Sequence, residues 1–133
     1  MPEGNAFPNK SLDPRKFQDP LVTAEGVQRA VVALTHLRTL WFNTGSLCNI
    51  TCQNCYMDSS PTNDRLSYMT VAEVRAFLDE IEDERLPVEE IAFTGGEPFM
   101  NRELPDMIEL ALAKGYRVLV LTNAMKPLLN KRP

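Results

Sequence analysis

Apolar residues recur along the second half of the chain with the two periods that distinguish strands from helices. Runs rich in apolar residues at 39–44, 88–94 and 116–122 predict three short buried strands. Between these runs, apolar residues spaced three and four apart predict two amphipathic helices. The alternation of strand and helix predicts an α/β fold with parallel strands and right-handed crossovers.

Both predicted helices have recognisable ends. Thr70 and Glu73 form a capping box, and Pro87 stops the run. Asn101 is the expected N-cap of the second helix, and Gly115 is expected to end it. The predicted buried face of the first helix comprises Val71, Val74, Phe77, Leu78 and Ile81, and that of the second comprises Leu104, Met107, Ile108, Ala111 and Leu112.

The first part of the chain is less regular. Four prolines between residues 2 and 20 predict an extended leader, and the pattern at 27–37 fits either a short strand or a helix. The aromatic pair Trp41 and Phe42 is expected in the core. We therefore divide the chain into residues 1–38, a leader with a short strand or helix, and residues 39–133, the front of an α/β domain.

Composition narrows the class of protein. The chain has 133 residues, 44% of them hydrophobic, which is typical of a folded domain. Its formal net charge is −4, and the absence of a dense basic run before the last few residues argues against nucleic acid as a partner. The sequence has neither an apolar run of about 18 residues nor a secretory start, so we expect a cytoplasmic protein without a membrane segment.

All three cysteines lie in one eight-residue segment, Cys48–Cys55, which we call the cysteine loop. Their C-x3-C-x2-C spacing allows one polynuclear centre to be bound from a single loop. A zinc knuckle, a redox pair formed by Cys52 and Cys55, and structural thiols are the alternatives. A zinc site needs four ligands, and the only histidine, His36, lies upstream in an apolar segment.

An iron–sulfur cubane is usually held by four cysteines, so three leave one iron open to a chelating amine and carboxylate. The sequence Gly95-Gly96-Glu97-Pro98, which we call the GGEP turn, follows the second predicted strand. The cysteine loop, the GGEP turn and Thr122–Asn123 each follow a parallel strand, so all three are expected at the same edge of the sheet. The sequence therefore predicts a site at that edge.

The C-x3-C-x2-C loop after a first strand and the GGEP turn after a second resemble the radical S-adenosylmethionine superfamily. The resemblance covers about residues 40–125 and implies the front portion of a partial (β/α) barrel, truncated after its third strand. It also implies a 4Fe-4S cluster and S-adenosylmethionine as cofactors. The chemistry that the resemblance implies is reductive cleavage of S-adenosylmethionine, which gives a 5′-deoxyadenosyl radical that abstracts hydrogen from a substrate.

The same resemblance implies roles for individual residues. Cys48, Cys52 and Cys55 would be the cluster ligands and hence the catalytic residues. The residues implied in cofactor binding are Gly95, Gly96, Glu97, Asn123 and Tyr56. The GGEP turn would hold the methionine amino group, since its glycines permit close approach and Glu97 offers a carboxylate to an ammonium.

Two of these residues have alternative interpretations. Tyr56 either packs against the cluster or adenine, or supports the loop as a partly buried aromatic. Asn123 either reaches the cofactor's ribose or the substrate, or closes its strand with a turn. Asn54 stands where the family often has an aromatic residue, so stacking on adenine is not expected from that position.

The implied function is that of a radical enzyme acting on a peptide or a small molecule. An electron donor such as flavodoxin or ferredoxin is the expected partner. We expect this chain alone to be poorly active, because later strands of the barrel are absent from it. The contrasting hypothesis is a small zinc-binding interaction module in which the GGEP sequence is an ordinary turn.

Overall fold

A computed structural model of the protein describes residues 14–15 and 18–125. The chain divides into two compact units, residues 1–34 and residues 35–133, which are described separately. Most of the predicted leader, including residues 1–13, lies outside the described residues.

The described part of the first unit is organised around one tight turn. Val22 and Gln28 form an isolated antiparallel bridge, and the Thr23 amide donates to the Val27 carbonyl at 2.8 Å. Gly26 lies inside this turn with a φ of +81°, a conformation that favours glycine. The strand or helix predicted at 27–37 does not form, and apart from the bridge at Gln28 these residues have no regular structure. Their apolar side chains, such as those of Val31 and Val32, are exposed.

The second unit contains a sheet of three parallel strands, β1 (Thr39–Asn43), β2 (Glu90–Thr94) and β3 (Arg117–Val120). Their spatial order is β1-β2-β3, and both neighbouring pairs are parallel. The α/β fold class with an open parallel sheet is therefore confirmed. It is the arrangement expected of the front of a partial barrel.

Helices α1 (Val71–Asp83) and α2 (Leu104–Ala113) form the connections between these strands. The predicted capping box begins α1: the Thr70 side chain accepts from the Glu73 amide, and the Glu73 carboxylate accepts from the Thr70 amide. A short 3-10 turn, Pro98–Met100, precedes α2.

The predicted start of α2 was wrong by two residues. Its N-cap is Glu103, which makes no side-chain capping bond. Asn101 is buried, and its side-chain Nδ2 donates to the Met69 carbonyl at 2.7 Å. Its side-chain Oδ1 accepts from the backbone amide of Glu103. Asn101 thus ties the start of α2 to the residue before the Thr70 cap, a long-range contact with no sequence signal.

Both helices pack on one face of the sheet. The buried core there comprises Phe42, Val74, Leu78, Ile81, Ile91, Phe93, Leu104, Met107 and Ala111. Phe42 was predicted correctly as a core residue, but Trp41 was not, because successive strand residues point to opposite faces. Trp41 is 46% exposed, and Phe77 and Leu112, predicted on buried helix faces, are also exposed.

Lys114, the C-cap residue of α2, forms ion pairs with α1. Its ammonium lies 2.6 Å from Glu82 and 2.9 Å from Asp79. Hydrogen bonds to these two carboxylates raise the pKa of Lys114. Within residues 14–15 and 18–125, the helices are too short or too polar to cross a membrane.

Candidate cofactor site

The residues that follow the three strands are hydrogen-bonded to one another. The Gly96 amide donates to the Gly45 carbonyl at 2.9 Å, which joins the segment after β2 to that after β1. The Thr122 hydroxyl donates to Glu97 at 2.8 Å, which joins the segment after β3 to the same turn. The structure thus brings together the three segments that the sequence placed at one edge of the sheet.

The GGEP turn approaches the segment that enters the cysteine loop very closely. A Cβ on Gly96 would lie 2.2 Å from the Leu47 carbonyl oxygen, and one on Gly95 would lie 2.7 Å from that of Gly45. Gly95 also has a φ of +149°. The two glycines were predicted to permit close approach, and the group they approach here is the chain itself.

The start of the cysteine loop is hydrogen-bonded to the segment around Ser60, for which no role was predicted from the sequence. The Cys48 amide donates to the Ser60 carbonyl at 3.1 Å, beside an isolated bridge between Leu47 and Ser60. All three cysteines are free thiols; Cys48 is buried, Cys55 is half-buried and Cys52 is exposed. The loop therefore anchors its first cysteine and presents its second to solvent.

The Cys55 thiol lies in an environment that favours its thiolate. Hydrogen bonding from the backbone of Ser59 and then of Met57 lowers its pKa, with a smaller contribution from the Ser59 hydroxyl. Burial and the nearby Asp58 carboxylate oppose this effect. Thiolate is the form of cysteine that binds metal, and the local backbone favours that form at Cys55.

The donor set of the cysteine loop is the chemical type that holds an iron–sulfur cluster, since cysteine thiolates are the usual ligands of such clusters. Among the residues that the structure describes, no three His, Cys, Asp or Glu side chains converge as ligands of one metal ion would. The three free thiols lie on one loop.

Glu97 is buried, with only 1% of its surface exposed. Its Oε1 accepts from the Phe99 amide at 3.0 Å and from the Thr122 hydroxyl, and its Oε2 accepts from the Asn123 amide at 2.9 Å. A buried carboxylate is costly unless it is hydrogen-bonded, and here the chain supplies the donors.

The two remaining predicted residues differ in how they are placed. The Asn123 side chain is partly buried and donates to Asn49 Oδ1 at 2.8 Å, beside the Cys48 sulfur. It therefore points toward the cysteine loop. Tyr56 is 82% exposed, so it does not support the loop as a buried aromatic would. Their contacts with a cofactor stay predictions.

Asn49 and Ser59 were not predicted as parts of this site, and the contact of Thr122 with Glu97 was not predicted. Asn49 is a polar loop residue whose partner lies 74 positions away, so no local pattern predicts the contact. Ser59 is buried within a stretch of polar residues that reads as a solvent-exposed loop. Thr122 was named with Asn123, but its bond to Glu97 could not be read from spacing.

The sequence comparisons agree with this geometry. The sequence profile of the radical SAM superfamily matches residues 42–131. This range includes the cysteine loop, the GGEP turn and all of β2 and β3. The chain belongs to the radical SAM superfamily.

Several characterised enzymes are similar to the same region. The Fe-coproporphyrin III synthase of Methanosarcina barkeri is 32% identical over 82 residues, which cover 62% of this chain and 20% of that enzyme. The GTP 3′,8-cyclase of Tolumonas auensis is 40% identical over 62 residues, covering 47% of this chain and 18% of that enzyme. The 7-carboxy-7-deazaguanine synthase of Aquifex aeolicus is 34% identical over 76 residues, covering 57% and 32% respectively.

The matched region is only a part of each relative. It spans between 18% and 32% of the length of these three enzymes. No solved structure matches the chain.

Proposed function

We propose that this chain is the part of a radical SAM enzyme that binds a 4Fe-4S cluster and S-adenosylmethionine. The observation that carries the proposal is the hydrogen-bonded junction between the cysteine-loop segment and the GGEP turn, where the Gly96 and Glu97 amides donate to Gly45 and Leu47. It joins the two motifs by which the superfamily is recognised.

In this proposal, Cys48, Cys52 and Cys55 supply three thiolates to the cluster. The cluster would supply the electron that cleaves S-adenosylmethionine to methionine and a 5′-deoxyadenosyl radical. The chain's own contribution is to hold the thiols on one loop and to favour ionisation of Cys55. Of the residues implied in S-adenosylmethionine binding, Gly95, Gly96, Glu97 and Asn123 belong to the hydrogen-bonded edge, and Tyr56 follows the last cysteine.

The substrate is proposed to be a peptide or a small molecule. The named relatives are, by their names, a porphyrin synthase, a nucleotide cyclase and a deazaguanine synthase, so similar cofactor regions occur in enzymes of different names. A flavodoxin or a ferredoxin is the proposed electron donor. The proposed location is the cytoplasm.

Anaerobic reconstitution with iron and sulfide tests the proposal. We expect iron and sulfide to bind in a 1:1 ratio, with broad visible absorption that is lost when Cys48, Cys52 and Cys55 are all replaced by alanine. Addition of S-adenosylmethionine should alter the electron paramagnetic resonance (EPR) spectrum of the reduced cluster, because the cofactor would bind the open iron.

The zinc module predicts different results. One zinc per chain without sulfide, and insensitivity to S-adenosylmethionine, would contradict the proposed function. A cluster that persists after all three cysteine substitutions would contradict the ligand assignment.

A further inference from the structure

The Glu97 carboxylate is buried and hydrogen-bonded to residues of its own chain. Its exposed fraction is 1%, and both oxygens accept hydrogen bonds from Phe99, Thr122 or Asn123. Each donor belongs to the same strand-end region, two of them following β3. A carboxylate with this set of internal partners is suited to fixing the backbone around it.

Asn123 connects Glu97 to the cysteine loop through hydrogen bonds of its backbone and its side chain. Its amide is held by Glu97, and its side-chain Oδ1 accepts from the Met125 amide at 3.1 Å. Its Nδ2 donates to Asn49 Oδ1 at 2.8 Å and lies 4.0 Å from the Cys48 sulfur. Both ends of the Asn123 amide group are therefore engaged, which restricts its rotamer.

Asn49 completes the connection because it directly follows Cys48 in the chain. The Cys48 sulfur lies 3.9 Å from Asn49 Oδ1, and the Cys48 side chain is buried. Cys48 is thus the cysteine that the Asn49–Asn123 contact reaches. We call the sequence of contacts Glu97–Asn123–Asn49–Cys48 the strand-end latch.

We propose that Glu97 is a positioning residue that fixes Cys48 through the strand-end latch. The inference rests on the proposed function, because fixing Cys48 affects cofactor binding only if Cys48 is a ligand of the cluster. In this role Glu97 acts before S-adenosylmethionine binds. A direct ligand of the methionine ammonium would act only once the cofactor is bound. The inference also assigns Asn49 and Asn123 the role of orienting a metal ligand from outside the ligand set.

Two substitutions break the latch at opposite ends. E97Q puts an amide NH2 group against hydrogen-bond donors, and N49A removes the acceptor for Asn123 in a partly exposed loop residue. E103Q is the matched control, since the Glu103 carboxylate also accepts from a backbone amide, that of Val71, at 2.8 Å. The Glu103 carboxylate accepts from Val71 and its backbone amide donates to Asn101, and neither residue belongs to the cysteine loop.

The first measurement uses the reconstituted chain without S-adenosylmethionine. We expect E97Q and N49A each to weaken cluster retention against an iron chelator by about tenfold, the size typical for groups that orient metal ligands. The double variant should lose little more than either single variant, because both break one connected path. Both should also change the EPR spectrum of the reduced cluster, and E103Q should not.

The second measurement needs no cluster. In a chain with Cys52→Ser and Cys55→Ser, Cys48 is the only thiol, and its alkylation rate reports its protection. We expect E97Q and N49A to raise this rate several-fold and E103Q to leave it unchanged. Denaturant unfolding of each variant separates local exposure of Cys48 from loss of the whole fold.

The outcomes distinguish the two proposals. If the chain binds no cluster but N49A and E97Q still expose Cys48, the proposed function fails and the latch stands. If E97Q retains the cluster and the Cys48 protection of the unaltered chain and changes only the response to S-adenosylmethionine, the positioning role is overturned. If N49A leaves Cys48 as protected as before, the latch is overturned whatever E97Q does.

Discussion

Gly96 and Leu47 lie so close together that the site has no space for a β-carbon between them. A Cβ on Gly96 would be 2.2 Å from the Leu47 carbonyl oxygen and 2.6 Å from its carbonyl carbon. Both neighbours are backbone atoms, which cannot turn aside as a flexible side chain can. Since Cys48 directly follows Leu47, the position of the first proposed ligand depends on the absence of a side chain on Gly96.

We therefore predict that Gly96→Ala displaces the Leu47–Cys48 segment. The steric conflict should lower the free energy of unfolding by about 2 kcal/mol, the typical cost of overpacking, and should impair cluster assembly. Iron and sulfide content after anaerobic reconstitution measures the second effect.

Gly115→Ala is the matched control for that substitution. Gly115 has a φ of +88°, and apart from its neighbours in the chain no atom lies within 4 Å of the position of an added Cβ, so alanine there costs about 1 kcal/mol of backbone strain. It should lower stability without affecting cluster content. Full cluster content in Gly96→Ala would show that the close approach is not needed for the site.

The elements that were predicted correctly are those whose signals lie close together in the sequence. The α1 helix was predicted from Thr70 and Glu73, which are three residues apart and form their capping box within one turn. The three strands were predicted from short apolar runs, and their parallel direction from alternation with helices. Each of these signals lies within a few neighbouring residues.

The errors arose at residues whose environment is set by parts of the chain that are distant in the sequence. Asn101 has the composition of an N-cap, but it binds the Met69 carbonyl 32 residues away. Trp41 is apolar enough for a core, yet it lies on the sheet face opposite α1 and α2 and is partly exposed. The contact between Asn123 and Asn49 has the same character, since neither residue carries a signal for the other.

A second prediction concerns the Cys55 thiol in the cluster-free chain. The backbone around Ser59 and Met57 holds its pKa below the ordinary value for cysteine. In a chain with Cys48→Ser and Cys52→Ser, the alkylation rate should therefore reach half its maximum at a lower pH than in the same chain unfolded in guanidinium. Equal midpoints in the folded and unfolded chains would contradict this prediction.

Ser59→Ala separates the backbone from the side chain in that effect. The Ser59 hydroxyl is buried and makes no hydrogen bond of ordinary geometry within the described residues, although it still contributes to lowering the Cys55 pKa. The backbone contributions are larger and survive the substitution. We expect a small upward shift of the midpoint, which stays below that of the unfolded chain.

A third prediction concerns the residue after Asn123. Ala124 has a φ of +56°, the left-handed region, which disfavours a residue with a β-carbon. Ala124→Gly should relieve that strain, and the greater freedom of glycine in the unfolded chain offsets part of the gain. We expect a net stabilisation of about 0.5 kcal/mol, measured by denaturant unfolding.

Ala76→Gly provides a control of opposite sign. Ala76 lies at an exposed position inside α1, where glycine should destabilise by about 1 kcal/mol. If both substitutions destabilise equally, the positive φ of Ala124 stores no strain.

The capping box of α1 gives a prediction about pH. Hydrogen bonds from the backbone and then the side chain of Thr70 lower the pKa of Glu73 below its ordinary value of 4.5. A carboxyl group with a lowered folded-state pKa stabilises the fold above its unfolded-state pKa, and this contribution is lost as the pH falls through the folded-state value. The free energy of unfolding should therefore decrease as the pH falls below 4.5.

The chain has other carboxyl groups besides Glu73, so the test compares the free energy of unfolding of each variant with that of the unaltered chain at the same pH. Glu73→Gln removes the titrating group, and its stability deficit relative to the unaltered chain should shrink as the pH falls below about 4. Thr70→Ala removes the capping hydroxyl at every pH and should cost about 1 kcal/mol even at pH 7. A Glu73→Gln deficit that is constant from pH 7 to pH 3 would show that the reciprocal hydrogen bonds of the capping box do not favour the charged form of Glu73.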